Sequence, residues 1–348
     1  MEQADELLRS AKRPVCLVGS QIWWSKRKDA YLPFLETFDM PVFVNGMARG
    51  SVPPSHPSWM MMARKDALAK ADLVLIFGTP LDFRLSYGQA PRIAAEAKLI
   101  QVDLNGGEIG RNRHVDCGII GDTCMVMAQL NELAKKDGVS SGMHTAWADE
   151  MRVLDRAKRA LHDDEMTSDA TPINPVRACA EIDKIIKDDT IVIGDGGDFV
   201  GTAANVLHIQ KPGHWLDAGP LGTLGAGPGF AMAAKLARPE SDVIIVYGDG
   251  SFGLNGFEFE AMARQKINVT GVIGNDAAWQ QILRGQIEFY GRERAIACDL
   301  DFTRYDKIVE PMGCHGEFCE KPDEIAPALQ RALKDERPSV VNIQIGSS

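Results

Sequence analysis

The chain has 348 residues, of which 45% are hydrophobic and 25% are charged, and its formal net charge at pH 7 is −10. This length and hydrophobic content are sufficient for two α/β cores. The acidic balance, without a basic tract, argues against nucleic acid as a partner. No apolar run approaches the roughly 18 residues of a membrane span and no signal-peptide pattern precedes the fold, so we expect no membrane association.

The seven cysteines are scattered and show no Cys-x-x-Cys spacing. Cys314 and Cys319 flank His315, but zinc binding there would need a fourth ligand and a better spacing. Reduced thiols in a cytoplasmic protein are the better interpretation, and we expect a cytoplasmic location.

Apolar runs in the first part of the chain, separated by helical stretches, predict a doubly wound parallel sheet. The predicted strands are residues 14–19, 41–44, 71–78 and 98–103. This first domain covers residues 1–134. It lacks a Gly-x-Gly-x-x-Gly motif followed by an acidic residue about 20 positions on, which leaves an NAD-dependent oxidoreductase as a weak alternative.

A polar stretch, residues 135–171, is predicted to be an interdomain linker, although it includes one charged helix. The second domain, residues 172–348, contains further apolar strands and ends on the strand 339–345. The predicted fold class is therefore α/β, with two doubly wound parallel-sheet domains.

The most informative motif follows the apolar strand 244–247. Residues 248–251, Gly-Asp-Gly-Ser, make a predicted sharp turn at the end of that strand, where α/β sheets place ligands. A predicted helix over residues 254–265 and a second strand then deliver Asn275 and Asp276 to the same edge. Two such oxygen ligands suit Mg²⁺, and the glycines allow the backbone to approach a diphosphate. A plain strand-to-helix turn is the alternative for the first motif alone.

Together these motifs resemble the thiamine diphosphate superfamily that includes acetolactate synthase, oxalyl-CoA decarboxylase and 2-hydroxyacyl-CoA lyase. Residues 248–253 resemble its metal–diphosphate loop, and residues 274–279 resemble its second half, especially in the lyase branch. The resemblance implies thiamine diphosphate and Mg²⁺ as cofactors, with Asp249, Asp276 and Ala278 as metal-binding candidates. Asp276 stands where many members have Asn, which adds one negative charge beside the diphosphate.

Two further segments resemble the same family. Residues 219–227 imply that the Gly222 carbonyl accepts from the aminopyrimidine and that Leu224 wedges the cofactor into its bent form; these two are the catalytic candidates. Residues 194–199 resemble another diphosphate-contacting loop. The candidate cofactor-binding residues are Gly196, Gly197, Asp198, Phe199, Gly222, Thr223, Leu224, Gly248, Asp249, Gly250, Ser251, Phe252, Asp276, Ala278 and Trp279.

The first domain resembles the family's central domain, a Rossmann-like unit that binds no thiamine. Arg84, Arg111 and Arg113 are candidate contacts for the phosphates of an acyl-CoA, with interdomain salt bridging as the alternative. A proton shuttle is also needed. His208, His214 and Trp279 are the nearest candidates by position, with ordinary packing or surface roles favoured for the two histidines.

The family's order is a pyrimidine-binding domain, a central domain and a diphosphate-binding domain, and this sequence begins at the central domain. The pyrimidine domain carries the glutamate that protonates the cofactor at N1′. We expect a separate pyrimidine-binding subunit, in a heterotetramer or a multiple of one; a truncated chain is the alternative.

Three functions remain open after this comparison. We first expect the chain to be the large subunit of a carbon–carbon lyase or carboligase that acts on a small molecule. The leading substrate class is a 2-hydroxyacyl-CoA. The second is an acetolactate synthase or 2-oxoacid decarboxylase subunit. The third is a non-catalytic regulatory or scaffold subunit.

Overall fold

In a computed structural model, which describes residues 1–139 and 141–347, the chain forms two α/β units. The first comprises Met1–Leu161 with Lys211–Gly213, and the second comprises His162–Gln210 with His214–Ser348. Each unit contains one parallel sheet with helices on both faces. The predicted fold class is confirmed.

The first unit has a five-stranded sheet in the order β2-β1-β3-β4-β5. Its strands are β1 (Pro14–Val18), β2 (Val42–Val44), β3 (Leu73–Phe77), β4 (Lys98–Asp103) and β5 (Cys117–Ile120). Its helices are α1 (Glu2–Ser10), α2 (Gln21–Trp24), α3 (Tyr31–Phe38), α4 (Arg64–Lys70), α5 (Thr123–Lys136) and α6 (Thr145–Ala160). β1 and β3 are buried along their whole length, which explains why they read as continuous apolar runs.

The second unit has a six-stranded sheet in the order β10-β11-β9-β8-β6-β7. Its strands are β6 (Ile191–Asp195), β7 (Trp215–Asp217), β8 (Val243–Gly248), β9 (Thr270–Asn275), β10 (His315–Cys319) and β11 (Ser339–Gln344). Its helices are α7 (Asp163–Met166), α8 (Pro175–Asp183), α9 (Asp198–Val206), α10 (Gly227–Ala237), α11 (Asp249–Asn255), α12 (Glu258–Gln265), α13 (Gln280–Tyr290), α14 (Tyr305–Val309) and α15 (Pro322–Lys334).

Alternate residues of each central strand in the second unit enter different cores. Val246 of β8 packs with α8, α9 and α15 on one face of the sheet. Tyr247, the next residue, packs with α10 and α12 on the other face. Burial on both faces leaves the strand ends as the part of the sheet that can meet a ligand.

The predicted linker is corrected by the structure. Within residues 135–171, α6 is a helix of 16 residues that belongs to the first unit. Trp147 and Met151 are buried in that unit's core, and the Trp147 indole N–H donates to the Pro14 carbonyl at 3.1 Å. Seven of the 16 residues of α6 are charged, but an amphipathic helix needs only one apolar face to pack.

None of the helices in the described ranges 1–139 and 141–347 is long and apolar enough to cross a membrane.

A buried carboxylate of α6, Asp155, joins this helix to the rest of the first unit. One oxygen of Asp155 accepts the backbone N–H groups of Met61, Met62 and Ala63 at 2.7 to 3.0 Å. These groups lie at the start of α4, where backbone donors lack partners within the helix. Asp155 therefore satisfies donors on a different element from its own.

We expect Asp155→Ala to lower the free energy of unfolding by about 3 kcal/mol, because it leaves three N–H groups, one buried and two partly buried, without this acceptor. Asp149→Ala is the matched control, since Asp149 lies on the same helix with its side chain 62% exposed; it should change stability by less than about 0.5 kcal/mol. Urea denaturation followed by circular dichroism measures both. Equal small effects would mean that α6 is only loosely attached.

Candidate functional site

The candidate site lies at the carboxyl ends of β6, β8 and β9 in the second unit. β6 and β8 are parallel neighbours, as are β8 and β9. The helix that follows β6, α9, packs on one face of the sheet, whereas α12, which follows β8 after α11, packs on the other. This reversal between neighbouring strands opens a crevice at their ends, which is where open α/β sheets bind ligands.

Glycines bring the β6 and β8 loops together. Gly196 and Gly197 adopt φ values of 75° and 94°, which side chains of L-residues rarely tolerate. The Gly248 N–H donates to the Gly196 carbonyl at 3.1 Å, and a Cβ on Gly197 would lie 3.2 Å from the Gly248 Cα. The crevice is thus lined by bare backbone.

Asp249, directly after β8, is 2% exposed. One of its carboxylate oxygens accepts the Gly250 N–H at 2.8 Å and the other accepts the Ala278 N–H at 3.2 Å. Burial nevertheless raises the pKa of Asp249 above its ordinary value. The second bond joins the end of β8 to the turn that follows β9.

Asp276, directly after β9, is half-buried beside Asp249. Burial and the charge of Asp249 raise the pKa of Asp276 to about 7, and Asp198 adds further negative charge. A buried carboxylate beside a second one whose pKa it raises forms a site that favours a cation.

The Asp276 turn is held by a buried polar network that the sequence analysis did not identify. The Asn275 side chain accepts the Ala277 N–H at 3.3 Å and donates to the Thr303 carbonyl at 2.9 Å and to Asn342 Oδ1 at 3.1 Å. Asn342 donates in turn to Asp306 at 3.3 Å. The one sequence signal is a polar Asn in the apolar strand β11. Ala277 has a φ of 53°, a strained value for a non-glycine residue that this network supports.

Ala278 and Trp279 are covered by the segment that returns after α13. The Trp279 N–H donates to the Cys298 carbonyl at 2.8 Å, and Ala278 bridges to Asp299. A Cβ on Gly250 would lie 2.7 Å from the Trp279 ring, so glycine is required there for this packing. Trp279 is therefore placed against the first turn of α11.

The predicted turn at residues 248–251 is corrected. α11 begins at Asp249 itself and ends at Asn255, and α12 runs from Glu258 to Gln265 as a separate helix. The prediction of one helix over residues 254–265 missed this early start. Gly248 retains an extended conformation and acts as the N-terminal cap, which lets helical geometry begin at once.

Leu224 lies over the β6 loop, whereas Gly222 and Thr223 are exposed. A Cβ on Gly196 would lie 1.8 Å from Leu224 Cδ2, so the leucine side chain rests directly on that glycine. Gly222 has a φ of 60° and nothing within 4 Å of its Cβ position. Leu224 is brought to the crevice, and Gly222 lies on an open part of the same segment.

Four of the predicted cofactor contacts have other partners. Phe199 packs against Gly274 and Phe252 packs against Tyr247, both within hydrophobic cores. The Ser251 hydroxyl donates to the Asp195 carbonyl and carboxylate, and Asp198 forms an ion pair with Arg284. Because the side chains of Phe199 and Phe252 lie in these cores, only the backbone groups of these two residues could reach a ligand in the crevice.

His208 and His214, for which the sequence favours packing or surface roles over a proton shuttle, lie at the amino-terminal edge of the sheet, opposite the crevice. His208 forms a 2.6 Å contact with Asp183, and His214 contacts the Thr190 carbonyl, which precedes β6. The full length of β6, roughly 15 Å at 3.3 Å per residue, separates that edge from the crevice. This distance excludes His208 and His214 from the chemistry of the crevice.

The arginines predicted to bind CoA phosphates have partners within the first unit. Arg84 pairs with Asp82, and Arg111 pairs with Glu108. Arg113 donates four hydrogen bonds of 2.7 to 2.9 Å to carbonyls of residues 88–97. Each of these arginines thus has partners within its own unit.

Arg64, at the start of α4, is a first-unit cation that the sequence analysis did not consider. Burial, together with the positive charges of Arg49, Arg92 and Arg84, lowers the pKa of the Arg64 guanidinium to about 10. A concentration of like charge around a buried cation favours an anion.

The residues at the crevice fit a Mg²⁺–diphosphate group. In the described part of the chain, no three His, Cys, Asp or Glu side chains form a metal site by themselves. Asp249 and Asp276 supply two hard oxygen ligands, and a diphosphate would supply others, which is the usual form of a Mg²⁺ site. The cation would also reduce the repulsion between these carboxylates and a diphosphate.

The fold and this site are typical of α/β domains that bind a cofactor at the carboxyl ends of parallel strands. The model for "Thiamine pyrophosphate enzyme, C-terminal TPP binding domain" matches residues 195–343, and that for "Thiamine pyrophosphate enzyme, central domain" matches residues 1–130. The chain belongs to the thiamine pyrophosphate enzyme family.

Relatives with two different names are similar to this chain over nearly its whole length. It is 38% identical over 344 residues to a "Probable acetolactate synthase" of Mycobacterium bovis, covering 99% of this chain and 61% of the relative. It is 35% identical over 361 residues to "2-hydroxyacyl-CoA lyase 2" of Caenorhabditis elegans, covering 100% and 56%, and 36% identical over 357 residues to the human protein of that name, covering 99% and 55%. The chain thus spans little more than half the length of these relatives.

We expect Asp276→Asn to stabilise the metal-free protein more at pH 8 than at pH 5. Because the pKa of Asp276 is raised from 3.8 to about 7 in the folded state, its carboxyl lowers stability progressively as pH rises through that window. A neutral Asn removes this penalty. The melting temperature in EDTA should rise by about 2–4 °C at pH 8. Asp301→Asn, at an exposed position of the same unit, is the control, and an equal gain at both pH values would contradict the assignment.

Proposed function

We propose that the second unit holds the diphosphate half of thiamine diphosphate through Mg²⁺, in a lyase or carboligase that breaks or forms carbon–carbon bonds. The observation that carries this proposal is the pair of carboxylates, Asp249 and Asp276, at the ends of adjacent strands. A glycine-lined crevice beside them leaves backbone room for a diphosphate.

When bound, thiamine diphosphate supplies a carbon nucleophile and an electron sink, so the protein's task is to bind, orient and polarise. Asp249 and Asp276 would hold the cation, and the turn containing Ala278 keeps these two carboxylates together. The Gly222 carbonyl would accept a hydrogen bond from the aminopyrimidine. Leu224, which rests on the Gly196 backbone, would support the bent form of the cofactor. That bend would bring the cofactor's own basic nitrogen near its reacting carbon.

Asp249→Ala should abolish Mg²⁺-dependent binding of thiamine diphosphate, because the remaining single carboxylate cannot hold the cation against the diphosphate. Asp276→Asn should have a milder effect, since an amide oxygen can still coordinate. Calorimetric titration with and without Mg²⁺ measures both. Unchanged affinity in Asp249→Ala would remove this residue from the site.

The pyrimidine half of the cofactor is assigned, in this proposal, to a separate subunit that carries the activating glutamate. Among the described residues, Glu181 is the one buried glutamate, and it lies on α8 in ion pairs with Arg177 and Lys184. A glutamate neutralised in this way is poorly suited to protonate a cofactor. The assembly would be a heterotetramer or a multiple of one, with a twofold axis, and a cytoplasmic location belongs to the same proposal.

The purified chain alone should therefore turn over substrate roughly 10²–10⁴-fold more slowly than the complete assembly, as expected for loss of a general acid–base group. The second component of the test would be a separately encoded chain that carries a strand-end glutamate, to be sought in the neighbouring reading frames. Steady-state rates and light-scattering masses of the chain, with and without it, test this. Full activity of the isolated chain would contradict the proposal that activity requires a partner subunit. A fully assembled complex that binds cofactor but has no activity would favour a regulatory or scaffold role.

The substrate proposed first is a 2-hydroxyacyl-CoA, because residues 274–279 resemble the lyase branch and several relatives carry that name. Arg64, in the first unit, is a better candidate for a CoA phosphate than Arg84, Arg111 or Arg113, because these three bind partners within their own unit. Burial, and after it the positive charge of neighbouring arginines, lowers the pKa of Arg64 to about 10. The second candidate is a 2-oxoacid, which the mycobacterial relatives named acetolactate synthase support. Initial rates with a 2-hydroxyacyl-CoA and with pyruvate, measured on one preparation, discriminate between them.

A further inference from the structure

Asp195, the last residue of β6, is a buried carboxylate at the crevice to which the preceding assignments give no role. It is 1% exposed. Its Oδ1 accepts the Gly225 N–H at 2.7 Å and the Ser251 hydroxyl at 3.2 Å, and its Oδ2 accepts the Gly227 N–H at 2.8 Å. A buried carboxylate is costly unless such donors compensate it, so all three bonds contribute to keeping it there.

These bonds join three separate elements. Gly225 and Gly227 lie just before and at the start of α10, Ser251 lies in α11 two residues after Asp249, and Asp195 ends β6. The contact between Asp195 and Gly227 requires glycine, because a Cβ at that position would lie 2.6 Å from Asp195 Oδ2. The close approach therefore depends on the residue types at both positions, Asp195 and Gly227.

Gly225 is held from its other side as well. Its carbonyl accepts the Asn255 side-chain amide of α11 at 2.6 Å, and a Cβ on Gly225 would lie 2.9 Å from that amide nitrogen. Leu224 immediately precedes this doubly bonded residue. The leucine side chain rests on Gly196, which immediately follows Asp195.

We propose that Asp195 is a positioning residue that fixes the Leu224 segment relative to the helix carrying Asp249. This inference rests on the proposed function for its consequence, since Leu224 is assigned there to support the bent cofactor. The hydrogen bonds of Asp195 are contacts within this chain and do not depend on the proposed function. Asp195 thus joins two residues to the end of β6: Leu224, the proposed support for the cofactor's bend, and Asp249, the proposed metal ligand.

A carboxylate is needed because both of its oxygens accept. In Asp195→Asn one oxygen becomes an NH₂ group, which faces a backbone N–H and cannot accept from it. One of the two glycine amides is then left without its partner, while the side chain keeps its size. The substitution therefore weakens the connection without opening a cavity.

Hydrogen–deuterium exchange of the full chain without cofactor tests the connection directly. In Asp195→Asn, amides in a peptide covering residues 221–232 should exchange at least about 10-fold faster than in the wild type, which corresponds to about 1.4 kcal/mol of lost protection. Peptides from α15 should not change. Asp301→Asn, at an exposed position of the same unit, should leave both regions as they are.

Gly227→Ala gives a second route to the same result, because its added Cβ displaces the Asp195 carboxylate without altering its charge. It should accelerate exchange in the same peptide. Unchanged exchange in both variants would overturn the proposal, and so would equal acceleration throughout the second unit, which would make Asp195 a general stability residue.

In the complete, cofactor-loaded enzyme, Asp195→Asn should lower kcat by up to about 100-fold, the scale of a small misplacement, while the dissociation constant of thiamine diphosphate changes less than threefold. A similar loss in both quantities would contradict a positioning role. If the wild-type protein does not bind thiamine diphosphate, the proposed function fails, whereas the exchange result still decides whether Asp195 holds the Leu224 segment.

Discussion

Two carboxylates at the ends of adjacent parallel strands are the constraint on which the rest of the site depends. Asp249 and Asp276 are brought together because β8 and β9 are neighbours in register, so their ends reach the same edge. Burial then raises the pKa of both groups, and their mutual repulsion opposes this arrangement. The fold maintains a costly pair, and such a pair is typical of a functional site.

The surrounding residues are arranged to support that pair. Asn275 and Asn342 stabilise the strained turn at Ala277, which places the Ala278 N–H on Asp249. On the other side of the crevice, Asp195 accepts the backbone N–H groups of Gly225 and Gly227, just before and at the start of α10, and the Ser251 hydroxyl of α11. Most of these contacts pair a buried side chain with a main-chain group, so well-packed side chains hold the backbone of the crevice in place. Rigid support of this kind is what a preorganised site requires.

Much of this arrangement could be predicted from local sequence. Continuous apolar runs identify β1, β3, β8 and β9, because strands buried on both faces need apolar residues throughout. The same runs place Asp249 and Asp276 at strand ends, and the chain-wide similarity to the thiamine pyrophosphate family agrees with that interpretation. The early start of α11 was missed because Gly248-Asp249-Gly250 has the composition of a turn, whereas tertiary contacts of Gly250 with Trp279 favour the helix.

Other features depend on contacts that are distant in sequence. The carboxylate of Asp195 accepts from residues 30 and 32 positions later, and Asn275 pairs with Asn342 across 67 positions. No local pattern reveals such partners. The contacts of His208 and His214 agree with the packing or surface roles favoured for them, although sequence distance from a motif does not show which end of a strand a residue reaches. Within α6, a charged surface obscured the face that packs on the first unit.

The central claim is that Asp249 and Asp276 jointly hold a divalent cation against a diphosphate. Anomalous diffraction from crystals of the protein grown with Mn²⁺ and thiamine diphosphate tests it most directly, because Mn²⁺ replaces Mg²⁺ at oxygen-ligand sites and scatters anomalously. We expect one strong anomalous peak within about 2.5 Å of a carboxylate oxygen of each residue. A peak elsewhere, or a bound diphosphate with no metal between these carboxylates, would contradict it.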